Sequence, residues 1–412
     1  ISGATRIVKG DWNGVTDGSY GLIFASGTWQ FSSSSDTILD IFTRNISVAT
    51  VGVDEREIRS VVNWSPDPLR NLSVELVTLV TNWTEVQDTG GDTGGNPPSG
   101  DWQNPRTLGS VDLGPGTSAT DLDVKNKIVY LSAEASDSKK HDFYIINATN
   151  GQNPFIVSST NTGKGLLGVD VAGSYAYTVG KDDSEEFQVI DVSNISAPNK
   201  VSSLNLSGNA DALTVFYHNN YVYIGREVGS SEEFVVIDVS NPINPSIAGS
   251  YEVGDDINDI YLLDDRAYLA TDLGGAGLTI LDVSSPGSIS LLGQSYSVDT
   301  KSVFVNDPAK LLMGPAQDLY VVNASNPESV STLGTLSAGD SVNDIVTRDY
   351  LAFIASSNSN REFQVINLSS STNPILHSYF NFSQVGSGID YEDNVVYVSV
   401  RSNDALRIIT SQ

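Results

Sequence analysis

The chain has no cysteine, one methionine and three histidines in 412 residues. Without cysteine there is no disulfide framework, no thiolate zinc site and no cysteine nucleophile. Basic residues are scarce as well: 22 Lys+Arg stand against 50 Asp+Glu, for a formal net charge of -28. A surface of that sign repels phosphate backbones and anionic lipid, so no nucleic acid is expected as a partner. Cations, basic proteins and neutral glycans stay open. No apolar run approaches the ~18 residues of a membrane-spanning helix. The sequence opens at Ile1 and is read as a trimmed product whose targeting segment lies elsewhere.

Catalytic signatures are thin. His141, His218 and His377 fall in different stretches and cannot form one metal or acid–base cluster. No G-x-S-x-G elbow occurs. The glycine-rich "DLGGAGL" at 272–278 lacks the lysine and helix context of a phosphate loop, and reads as a hairpin tip.

What is present is repetition. "EFQVIDVSN", "EFVVIDVSNP", "GLTILDVSSP" and "EFQVINLSS" are variants of one strand and turn. Aligned on the Asp or Asn that ends the strand, the copies fall at Asn147, Asp191, Asp238, Asp282, Asn323 and Asn367. The spacings are 44, 47, 44, 41 and 44 residues, and "LRIITSQ" puts Thr410 in the same slot 43 residues later. A period of about 40–45 residues with four strand signals per unit is that of a β-propeller blade. In the third copy the signals are 211–217, 221–227, 233–239 and 246–253. Tips such as "HNN", "AGS", "DDR" and "EDN" join the first two, with residues that tolerate the positive φ of tight hairpins. Because Asp and Asn exchange at the aligned slot, its side chain is expected to cap the following turn and not to serve as a charge.

The last copy ends after its third strand, while an extra fourth-strand signal, "PRTLGSVDL" at 105–113, precedes the first complete unit. Pairing the two makes seven closed blades with no open seam. The fold expected is therefore all-β: a seven-bladed β-propeller over 105–412 with N-terminal/C-terminal strand closure, preceded by a small antiparallel β-domain. "FVVIDVSNP" at 234–242 resembles the LVIVD-repeat family of bacterial and archaeal surface proteins, a resemblance that covers about 105–412 and implies the propeller fold and a surface location. In the fifth unit Pro308 and Pro315 depart from the pattern and blur its strand ends.

Residues 86–104 contain "VQDTGGDTGGNPPSGD" and read as a flexible linker. Before it, 1–85 carries alternating β-branched segments and no helix pattern. Its phrases "GSYGLIFASGTWQF", "FTRNISV", "IRSVVNWS" and "LVTLVTNW" resemble the globular head of type IV pilin-like proteins, or pseudopilins. That resemblance implies a head lacking its N-terminal helix, other pilin-like subunits as partners, and membrane attachment only through a helix absent from this chain.

The one constellation that could carry binding chemistry is acidic. Loops entering the innermost strands share a face with the loops between second and third strands. Asp211, Asp255, Asp256 and Asp340 sit in the former and are ligand-face candidates, with Asp299 beside them. Asp121, Asp259 and Asp344, just inside the innermost strands, are the candidate cation site at the channel mouth. No cofactor is expected, Ca2+ being the ion such a funnel would hold. The function expected is a non-catalytic binding or adhesion module, displayed on a cell surface or pilus. It would be extracellular, filament- or membrane-anchored, and would take a cell-surface glycan or protein on the propeller face. Two alternatives stand beside it: a structural filament subunit with a decorative propeller, and a propeller polysaccharide lyase or hydrolase.

Overall fold

The computed structural model describes residues 101–135, 139–272 and 276–411, together with backbone strands at 18–25, 28–32, 36–38, 42–50, 55–67 and 70–81. Two units divide the chain, Ile1–Gly95 and Asn96–Gln412. In the first, the strands pair antiparallel in the order Thr28–Ser32, Gly18–Ala25, Phe42–Thr50, Glu55–Asp67, Arg70–Thr81, and Asp36–Ile38 also pairs with Phe42–Thr50. The side chains of these strands and residues 82–100 lie outside the described residues. So do the pilin-like reading of 1–85 and most of the expected linker.

The second unit is a seven-bladed propeller of four-stranded antiparallel sheets. The innermost strands are Thr117–Lys125, Leu166–Ala172, Ala212–His218, Ile257–Leu263, Thr300–Phe304, Val342–Arg348 and Gly386–Glu392, for blades 1 to 7. Each lies beside the next, and the last returns to the first. In blade 7 the inner three strands come from the C-terminal end and the outermost, Pro105–Asp112, pairs with Asp404–Ser411. The two end segments thus share one sheet, as the orphan strand signal requires.

The repeated phrase is the third strand of each blade. In blades 1, 2, 3, 4 and 6 it has four consecutive buried residues, Phe234–Ile237 in blade 3 for example. Both faces are covered by neighbouring blades, so the strand is a continuous apolar run and does not alternate. The core is accordingly a set of interblade layers: Tyr177, Phe187 and Val189 of blade 2 pack on Val215, Val222, Ile224 and Val235 of blade 3. Tyr177 stacks parallel on Tyr217 across that seam, with ring centroids 5.3 Å apart. Each fully buried aliphatic or aromatic side chain contributes about 1.5–3 kcal/mol.

The capping role of the aligned Asp/Asn holds in all six copies. Asn147, Asp191, Asp238, Asp282, Asn323 and Asn367 each accept, through Oδ1, the N–H two residues on, at 2.8–3.0 Å. The hairpin tips sit at positive φ as expected: Asn219 and Asn220, Asp264, Asp393 and Asn394, and Gly173. Blade 5 departs where its prolines stand. The tip of its first hairpin is a 3-10 turn at Pro308–Lys310, N-capped by Asp307, and Pro315 ends the second strand.

Candidate functional site: the channel and its mouth

The innermost strand of every blade is a sheet edge, so part of its N–H row has no partner within its own sheet. In blades 1, 2, 3, 5 and 7 an aspartate of the preceding blade supplies such a partner. Asp121 of blade 1 accepts Leu122 N–H at 2.8 Å and reaches across to Val169 N–H of blade 2 at 3.0 Å. Asp259 does the same with Ile260 and, in blade 5, Val303, both at 2.8 Å. Asp344 takes Ile345 and, in blade 7, Ile389, both at 2.7 Å. Gly388 makes room for the first of these, since a methyl group there would stand 2.7 Å from Asp121 Oδ1.

These three carboxyls converge on the channel and act on one another. Burial, then the Asp344 charge, pushes Asp121 up to about 8. Burial also raises Asp259 and Asp344, with smaller contributions from Asp121 and Asp259 respectively. Protein surrounds each group, yet each keeps a partly exposed edge on the channel. Their first duty is structural: both oxygens of each are committed to backbone N–H groups of two successive blades. Among the described residues no three His, Cys, Asp or Glu side chains are grouped so as to hold a metal ion.

Two residues further along the same strands lies a second layer, which sequence reasoning missed. Asp390, Asp123 and Asp170, on blades 7, 1 and 2, form an acidic arc. Asp390 accepts Val124 N–H at 2.8 Å, Asp123 accepts Val171 N–H at 2.7 Å, and Asp170 accepts Tyr217 N–H at 2.6 Å. Lys125 pairs with Asp123 at 3.0 Å. Asp170 is raised by burial first and then by Asp123, with which its carboxyl shares a hydrogen bond. On blades 3, 4 and 5 the equivalent positions are Phe216, Tyr261 and Phe304. Their rings meet at centroid distances of 5.2 and 4.9 Å. At this depth the wall is two-sided, three carboxyls on one arc and three half-buried aromatic rings on the other. The signal was present in the sequence: strand residues two apart share a face, so each position two beyond the first layer also lines the channel.

The mouth candidates separate. Asp211 is raised by burial, and Glu227 is raised by burial and then by the charges of Asp211 and Asp256, so these three lie together. Asp256 is also tied to blade 3, accepting Val228 N–H at 2.8 Å. Asp255 and Asp340 each accept the N–H of the next residue and cap their own turns. Beside this group Lys301 Nζ holds Asp272 at 2.8 and 2.9 Å and Asn258 Oδ1 at 3.2 Å.

The histidines are apart, as expected. His141 meets Ser159, His218 meets Asn219, and His377 meets the Asp101 carbonyl. Arg226, a residue an enzyme could recruit, is buried; its guanidinium donates to the carbonyls of Ser207, Ala210 and Glu232 and pins the loops they belong to.

A family model described as the LVIVD repeat matches residues 167–206, 207–253 and 255–300, which correspond to blades 2, 3 and 4. No curated protein matches the chain. Among solved structures, a chain of the "Mitotic Checkpoint Complex" is similar with a TM-score of 0.57 and 12% identity, over 79% of this chain and 98% of that one. "YCF48 bound to D1 peptide" is similar with a TM-score of 0.55 and 10% identity, over 76% and 98%. The extracellular domain of the putative one component system BT4673 from B. thetaiotaomicron is similar with a TM-score of 0.53 and 10% identity, over 75% of this chain and 40% of that one. At such identities these likenesses concern the fold alone.

Proposed function

We propose that this chain is a non-catalytic binding module displayed at a cell surface, whose propeller takes a basic segment of a partner protein at the channel. One observation carries the reading: the two-sided wall, with Asp390, Asp123 and Asp170 opposite Phe216, Tyr261 and Phe304. A lysine or arginine side chain has the matching character, an aliphatic stem for the rings and a cationic head that favours the ionised form of carboxyls which burial otherwise keeps protonated. The formal charge of -28 favours a basic partner at longer range. Polar groups that an enzyme of this shape would use are instead spent on backbone, which favours binding over turnover. Of the structures similar in fold, one is an extracellular domain and one is bound to a peptide, which lends the reading support. Display on a filament rests on the pilin-like phrases of residues 1–85, with other pilin-like subunits as the assembly partners.

The test is binding of the purified chain to intact cells, with glycan and peptide arrays alongside. The reading expects retention on cells and on basic peptides, lost at high salt. Binding confined to neutral glycans, or turnover of a polysaccharide, would replace it.

A further inference from the structure

Every seam of the ring repeats one contact. On the outermost strand of blades 1 and 2, Ser158 and Ser202 stand opposite Ile145 and Val189. Their hydroxyls donate to the carbonyls of Ile195 and Pro242, at 2.5 and 2.6 Å, in the turn between the third and fourth strands of the next blade. Blades 3, 4 and 5 place glycine at the same register position, and the next turn's carbonyl moves in. A methyl group on Gly249 would stand 1.9 Å from Pro286 O, on Gly293 2.0 Å from Pro327 O, and on Gly334 2.5 Å from Ser371 O. From blade 7 to blade 1 the pair is Gly109 and Gly151 O, at 2.2 Å. The carbonyl is always four residues beyond the capping Asp or Asn.

One seam lacks the element that should supply it. The third and fourth strands of blade 7, Asp404–Ser411 and Pro105–Asp112, come from distant parts of the chain, so no turn joins them. Here Ser378 of blade 6, again at the same register position, donates to the carbonyl of Trp102. His377 meets the Asp101 carbonyl at 2.7 Å. Trp102 has no exposed surface and sits at φ 57. Its ring lies edge-on to Phe353 at 4.7 Å and its Nε1 donates to Asn394 Oδ1 of blade 7 at 3.2 Å.

We infer that residues 101–104 are a clasp that replaces the seventh turn and holds the ring shut at the seam of blades 6 and 7. The unit that folds as the ring thus begins at Asp101, ahead of the start at 105 read from the strand pattern. A pull arriving through the preceding segment loads Trp102 before it loads the strand behind it. Undocking the clasp frees the start of Pro105–Asp112, where Arg106, an exposed side chain whose backbone is held in the strand opposite Thr410, then becomes cleavable by trypsin.

The test uses the full chain and compares Trp102→Ala, which removes the buried ring that anchors the clasp, with Ser202→Ala, which removes the hydroxyl-to-carbonyl contact of an internal seam. Cleavage after Arg106 reports the open population. Trp102→Ala is expected to speed that cleavage about tenfold or more and to lower Tm, while Ser202→Ala leaves the Arg106 rate within about twofold of the parent. If Trp102→Ala does not accumulate as folded protein, Trp102→Phe, which keeps an aromatic ring but loses the Asn394 bond, is expected to give an intermediate rate. Parent-like protection of Arg106 in the Trp102 variant, or equal acceleration in Ser202→Ala, overturns the clasp.

Discussion

The Asp390 carboxylate accepts the Val124 N–H at 2.8 Å, joining residues 266 positions apart in the sequence. It also accepts Tyr391 N–H at 2.7 Å, so one side chain serves the edge strands of blades 7 and 1. Asp390→Ala leaves both donors short of a partner and is expected to cost about 1–3 kcal/mol. Asp393, three residues on, pairs with Lys127 at 3.1 Å on an exposed surface. Its alanine variant is expected to change stability by no more than about 0.5 kcal/mol. Chemical denaturation of the two variants checks the contrast; equal losses would show that the channel carboxylates are not clasps.

Stability is expected to fall as pH rises from mildly acidic to mildly alkaline. Burial raises Asp121, Asp259, Asp344, Asp170 and Asp390 above the usual carboxyl range, so between about pH 4 and 8 the folded ring holds protons that the unfolded chain releases. That contribution is complete below the ordinary carboxyl value and is lost as pH climbs through the raised ones, to about 8 for Asp121. The turn carboxyls Asp191, Asp238 and Asp282 are held low by Ser193, Ser240 and Ser284, and their smaller contribution disappears only at more acidic pH. Tm is therefore expected to drop by roughly 5 °C between about pH 5 and 8.5, and Asp344→Asn to flatten the slope. A Tm that rises over that interval contradicts the assignment.

The capping slot makes a sharper distinction between charge and shape. Asp238 Oδ1 accepts Ser240 N–H at 2.8 Å, a bond that asparagine makes equally well in three other blades. Asp238→Asn is expected to be neutral within about 0.5 kcal/mol, and Asp238→Ala to cost about 1 kcal/mol. A loss on changing to Asn as large as that on changing to Ala would mean the slot needs its charge.

The blade count, the closing strand and the turn caps were legible in the sequence because each is local or periodic. The period repeats, Asn147 and Asp191 exchange at one slot, and 105–113 is a strand signal without a blade of its own. The convergence of Asp121, Asp259 and Asp344 was legible for the same reason, since all three fall at one register position. Their commitment to backbone was not. It depends on how closely the edge strand of one blade approaches the next, as when Asp121 reaches Val169. The arc of Phe216, Tyr261 and Phe304 was hidden differently: in one strand an aromatic residue reads as core, and only the ring shows that three of them face three carboxyls. Trp102 was concealed by its Gly- and Pro-rich neighbours, which make the segment read as linker although the tryptophan is wholly buried.

Calorimetric titration with an oligolysine peptide tests the channel reading most directly, using the parent chain and the variant Tyr261→Ala. Tyr261 is half-buried on the wall, and the strand edge beside it is held by Asp259, which accepts the Ile260 N–H, so the variant is expected to keep the fold. The account predicts saturable, salt-sensitive binding to the parent, and affinity reduced about fivefold or more in the variant. No heat with the parent, or the same affinity in both chains, would contradict it.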